Sequence, residues 1–135
     1  KIKYQQKIET IRKQYSEYSV ENVKVNSNLT LGENIADLGG ILLGIEAFKK
    51  TSQYKEDKKI SNLTPMQRYF LGYALGWLDH TREEQLKNRL MTDVHSPAKY
   101  RVNGPFSDVD EFYNTFNIKK GSPMYREDSL RVRIW

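Results

Sequence analysis

The chain has 135 residues, no cysteine and a net charge of +5. Without thiols it forms neither disulfides nor thiolate metal sites, and with 29% charged and 38% hydrophobic residues it is not a disordered tail. Its lysines and arginines are scattered and paired with acids, as in "KEDKK" and "TREEQLKNR", so the charge excess reads as a solvated surface and not as a nucleic-acid-binding patch.

No apolar run of the roughly eighteen residues a membrane span needs is present, and no signal peptide is visible. The chain opens without Met on a charged helical pattern, so it reads as a fragment of one domain's size, and its compartment stays open. Over residues 1–18, the spacing of Ile8, Ile11, Tyr15 and Tyr18 predicts an amphipathic helix. "SVENVKVNSN" reads as a polar connection. "TLGENIADLGG", residues 30–40, opens a second helix that runs to about Lys50. Thr30 is expected to cap it, with Glu33 completing a capping box. "IADLGGILLGIEAF" is apolar nearly all round, which predicts a buried helix.

"TSQYKEDKKISNL" reads as a surface loop. In "TPMQ", Thr64 as N-cap, Pro65 at the first helical position and Gln67 at the third predict a helix over about 65–79. It carries Met66, Tyr69, Phe70, Tyr73, Ala74 and Trp77. "TREE" predicts a further capping box and a helix over about 82–91. "TDVHSPAKYRVNGPF" holds two prolines and a glycine and reads as an ordered loop. "SDVDEFYNTF" reads as a short helix capped by Ser107 or Asp108, "GSPMY" as a turn, and "RVRIW" as a short extended terminus. The class is mainly α, one unit over 1–135, without repeats, low-complexity segments or a convincing sheet.

The chemistry concentrates on Glu33 and Asp37. Residues four apart share a helix face, and this face continues as Gly40 and Gly44. Glycine costs about 1 kcal/mol against alanine in a helix, so another backbone is expected to pack there. Two carboxylates beside apolar residues repel each other and lose hydration. Two readings follow: Glu33 closes the capping box while Asp37 faces water, or the pair is a metal ligand and its supporting partner. The two histidines, His80 and His95, form no H-x-x-x-H pair, and a catalytic zinc wants three protein ligands. If Glu33 is a ligand, the others lie outside this chain. In "TDVHSP", Asp93 is placed to orient His95, although a loop histidine tied to structure fits the same pattern. Arg101 offers a planar fork for a carbonyl or carboxylate, or makes an ordinary ion pair. Trp77 is a core residue or the wall of an apolar pocket.

In order, "LGENIADLGG", "W" followed by "TREE", "TDVHSPAKYRVNGP", "EFYNTF", "GSPM" and "RVRIW" resemble the C-terminal end of the neprilysin and endothelin-converting-enzyme family. These are zinc metallopeptidases of the gluzincin type. The resemblance runs from about residue 27 to Trp135, and "GENIAD" with "HSPxxxRVxG" carries most of it. It implies the C-terminal helical portion of a zincin-type catalytic domain. Glu33 would be the third zinc ligand. Asp37 would hydrogen-bond a zinc-binding histidine of the H-E-x-x-H helix, so that the positive charge the acids need would lie outside these residues. His95, held by Asp93, would stabilise the oxyanion of the tetrahedral intermediate. Arg101 would grip the substrate backbone and Trp77 would line the adjacent pocket. The chain has no H-E-x-x-H, no lid-like second domain and no C-terminal cysteine, so it looks like part of a bacterial oligopeptidase-type member. Zinc is therefore implied for the full-length enzyme, and the isolated chain is expected to be inactive. The implied partners are oligopeptide substrates and the rest of the catalytic domain, with self-association of the fragment through uncovered apolar surface. The parent protein would be secreted, periplasmic or membrane-anchored rather than cytoplasmic. The alternative is a stand-alone helical interaction domain in which "GENIAD" only caps and packs a helix.

Overall fold

The computed structural model describes residues 2–134; the terminal Trp135 of the family-like ending lies outside them. Helix α1, Ile2–Ser16, buries Ile11 and Tyr15 as its periodicity predicts. A two-strand antiparallel hairpin follows, β1 at Ser19–Val20 and β2 at Val23–Lys24, with Val20 opposite Val23. The sequence reading had only a polar connection here. Glu21 and Asn22 both take positive φ, 48° and 66°, the backbone of a two-residue hairpin turn. Glutamate is an unusual occupant of that region, which hid the turn.

Helix α2, Leu31–Phe48, is the central element, packed against α1 on one side and a later helix, α6 (Ala98–Phe106), on the other. It buries Leu38, Ile41 and Ile45. It is not covered all round: Gly32, Ala36, Gly40, Leu43 and Ala47 form an exposed stripe. The expected backbone approach to the glycine face is also revised. Gly40 meets nothing within 4 Å, whereas a Cβ at Gly44 would sit 2.3 Å from the Tyr69 hydroxyl, a side chain. That hydroxyl donates to the Ile41 carbonyl at 3.0 Å.

The capping box at Thr30 is absent. Thr30 is itself helical, and its hydroxyl donates to the Asn26 carbonyl and accepts from Asn34 Nδ2. Glu33 is thereby released from the helix start. The predicted loop after α2 contains a short helix, α3 (Ser52–Lys55), capped by Thr51. Helix α4, Pro65–Gly76, begins with the predicted Thr64–Gln67 capping box. Helix α5, Glu83–Thr92, does not use its "TREE" box: Arg82 is the N-cap without a side-chain bond, and Thr81 binds Asp79.

The stretch read as an ordered loop after "TDVHSP" is largely helix α6, with Pro105 in its last turn. Helix α7, Asp110–Phe116, starts from Val109 and not from Ser107 or Asp108. Phe70 of α4 makes edge contacts with Phe106 and Phe112 and closes the core between α4, α6 and α7. Arg131 is extended after the last turn, Val132 is buried, and Arg131 and Arg133 grip Asp110.

Asp108 is only 3% exposed, accepts the Val132 N–H at 2.9 Å and lies 3.4 Å from Arg126 Nε. Burial pushes its carboxyl up to about 6 from an ordinary 3.8, against the pull of the Val132 N–H and of Arg126. A raised folded-state value means that this group's stabilising contribution is complete below about pH 4 and is lost as pH rises through 6. The expected loss is of the order of 3 kcal/mol. Urea unfolding from pH 4 to pH 7 should show it as the difference in slope between the native chain and Asp108→Asn. Parallel profiles would show that the carboxyl titrates normally.

Candidate functional site

Four separate segments meet on one side of α2. The helix itself presents Glu33 and Asp37, and the turn between α5 and α6 presents Asp93 and His95. Arg101 stands on the first turns of α6, and Trp77 is the C-cap of α4. The turn is fixed to α2 by a buried hydrogen bond from Ser96 Oγ to Asn34 Oδ1 at 2.8 Å. Asn34 is held in turn by Thr30. Sequence reasoning missed Asn34 and Ser96. Their only signal was a short polar side chain beside each candidate site residue.

Asp93 accepts both His95 Nδ1, at 2.8 Å, and the His95 backbone N–H, at 2.9 Å. The backbone N–H first, the ring next and Arg89 after them hold the Asp93 carboxyl down at about 2. His95 is thus oriented as the sequence suggested, with Nε2 3.4 Å from Glu33 Oε2. His80 is exposed and no part of this cluster.

Asp37 is bound by Arg101 through a two-pronged pair, Nε to Oδ2 and Nη2 to Oδ1, both at 2.7 Å. Asp37 is the first cause that raises Arg101 above its ordinary value. The positive charge expected from outside the chain is therefore supplied from within it, 64 residues along. Each Asp37 oxygen keeps a second acceptor position. Arg101 Nη2 also lies 3.8 Å from Glu33 Oε2, and its guanidinium stacks 4.2 Å over the Trp77 ring. Trp77, Leu86, Leu90, His95 and Arg101 line a cleft of about 310 Å³, so Trp77 is a pocket wall.

Among the described residues no three His, Asp or Glu side chains converge to hold a metal ion. Glu33 is 40% exposed and unshared except with His95 and Arg101. One open carboxylate beside an oriented imidazole fits a single contribution to a shared metal site and not a complete one.

The sequence profile of Peptidase family M13 matches residues 1–132. The chain belongs to peptidase family M13. Among similar proteins, endothelin-converting enzyme 1 of Cavia porcellus is 40% identical over 124 residues, which is 90% of this chain and 16% of that protein. The inhibitor-bound crystal structure of the Mycobacterium tuberculosis zinc metalloprotease Zmp1 superposes with a TM-score of 0.88. It is 31% identical and covers 99% of this chain, which spans 22% of it. PepO from Lactobacillus rhamnosis gives a TM-score of 0.84 at 31% identity, over 99% of this chain and 20% of that one. This M13 chain thus spans about one sixth of the curated relative's length. The resemblance to the neprilysin and endothelin-converting-enzyme group and the mainly helical class both hold.

Proposed function

We propose that this M13 chain is the C-terminal helical portion of the catalytic domain of a zinc endopeptidase that cleaves oligopeptides. The observation that carries the proposal is the convergence of Glu33, Asp37, Asp93, His95, Arg101 and Trp77 from four segments into one contact network, in which Trp77, His95 and Arg101 also line a cleft. Glu33 would be the one ligand this chain gives to zinc, the remaining ligands and the general base coming from an H-E-x-x-H helix elsewhere in the protein. When bound, zinc supplies Lewis acidity at the peptide carbonyl and an activated water.

The chain's own residues would bind and stabilise. Asp93 holds Nδ1 of His95, which leaves Nε2 to face the developing oxyanion. Such preorganised donors are usually the largest electrostatic contribution. Asp37 would steady Arg101 and, through its remaining acceptor positions, a zinc-binding histidine. Arg101 Nη1 makes no hydrogen bond among the described residues and would bind a substrate carbonyl, while Trp77 packs on the neighbouring side chain. Leu43, Leu75 and Leu78, all well exposed, would be covered by the rest of the catalytic domain, and the isolated chain would self-associate through them. The parent protein would work outside the cytoplasm; no helix among the described residues is long and apolar enough to cross a membrane.

Calorimetric titration of the chain with zinc tests the shared site. The expected result is no stoichiometric binding tighter than about micromolar, which is about 8 kcal/mol, and no peptidase activity. Tight binding would overturn it. An H-E-x-x-H encoded upstream of Lys1 separates the peptidase from a helical binding module without catalysis.

A further inference from the structure

Sequence periodicity marks Tyr73 only as a core position of α4, yet its hydroxyl makes a specific contact. In a regular helix the Arg101 carbonyl would accept the N–H of residue 105, and proline has none. Tyr73 Oη donates to that carbonyl instead, at 3.3 Å. The preceding carbonyl, of Tyr100, accepts the Tyr15 hydroxyl at 3.2 Å. Gly104 makes this possible, since a Cβ there would lie 2.3 Å from that oxygen. Helix α6 is thus pinned at consecutive carbonyls by tyrosines from α1 and α4.

The two tyrosines differ in what they hold. Tyr73 grips the backbone of Arg101, the residue that pairs with Asp37 and stacks on Trp77. Its ring packs on Phe106, with centroids 5.5 Å apart, and stands 6.2 Å from the Trp77 ring. Burial, and then the Asp37 charge, push the phenol up to about 12, so it remains a neutral donor through physiological pH.

We propose that Tyr73 is a positioning residue for Arg101 and Trp77, its hydroxyl standing in for the helix hydrogen bond that Pro105 removes. The proposal rests on the peptidase reading only in taking Arg101 and Trp77 as substrate contacts; the positioning concerns this chain alone.

The reporter is the Arg101 Nε–H in the ¹⁵N-labelled chain, which Asp37 Oδ2 holds at 2.7 Å. Tyr73→Phe is expected to speed its exchange with solvent by about fivefold, the scale of one net hydrogen bond. Tyr69→Phe removes a similar hydroxyl-to-carbonyl bond, to Ile41, and is expected to leave the signal unchanged. Tyr73→Phe combined with Pro105→Ala returns an N–H to residue 105 and is expected to restore slow exchange. Unchanged exchange in Tyr73→Phe overturns the proposal. If that variant does not fold, folding of the double variant supports the proposal, and failure of both overturns it. In the full-length protein, Tyr73→Phe should raise KM about fivefold with kcat within about twofold. An Arg101 signal that moves while KM does not supports the positioning and counts against the peptidase reading.

Discussion

Replacing Arg101 with methionine is expected to destabilise the chain by about 3–5 kcal/mol, the cost of stranding one charge of a buried pair. The Asp37 side chain is 9% exposed and that of Arg101 14%. Without the guanidinium, Asp37 faces Glu33 one turn away in apolar surroundings and is left with poor solvation. The stacking over Trp77 is lost as well. Domains are stable by only about 5–15 kcal/mol, so this one change takes a large share. Arg101→Lys should recover little, because an ammonium cannot reproduce the two parallel bonds. Arg101→Met with Asp37→Leu should recover most of the loss, since neither charge then remains to be buried. Urea unfolding of the three variants checks this. A loss under about 1 kcal/mol for Arg101→Met would mean that the pair behaves as a surface ion pair.

The second large effect belongs to the proposed full-length peptidase, where two neighbouring substitutions should separate turnover from metal. His95→Phe is expected to lower kcat by about 10²–10³, as removal of an oxyanion donor does, and to leave zinc content close to native. Glu33→Gln is expected to lose zinc and activity together. Its cost in zinc affinity should exceed the roughly 10–100-fold that loss of a supporting residue brings. The two side chains are 3.4 Å apart, so a general disturbance of the cleft would affect both readouts in both variants. Zinc content by atomic absorption, with kcat on a peptide substrate, distinguishes the outcomes. Near-normal turnover in His95→Phe would remove the oxyanion role, and retained zinc in Glu33→Gln would remove the ligand role.

Three capping boxes were read from "TLGE", "TPMQ" and "TREE", and one forms. The difference is local at Thr64, because Pro65 bars the preceding residue from the helical region, and Thr64 is extended with ψ 161°. Nothing restrains Thr30 in the same way. It adopts ψ −1° while its hydroxyl binds the Asn26 carbonyl, so Glu33 turns to His95 and Arg101 instead of the helix start. Helix α6 was misread for a related reason. Gly104 and Pro105 are poor helix residues by propensity, and the partners that make them acceptable, Tyr15 and Tyr73, lie 85 and 28 residues from the carbonyls they bind.

The legible features were those that a few neighbouring residues enforce. They include the helical class, the proline-led start of α4, the pairing of Asp93 with His95 two residues on, and the motif string that marks the family. The pairing of Asp37 with Arg101 was not legible. Neither residue carries a local mark of its partner, and the contact exists because α6 packs on α2 with that register. A charge is recognisable in a sequence, but its neutralisation is a matter of distance across the fold. That distance turns a solitary acid pair on α2 into a braced cluster with one carboxylate left open.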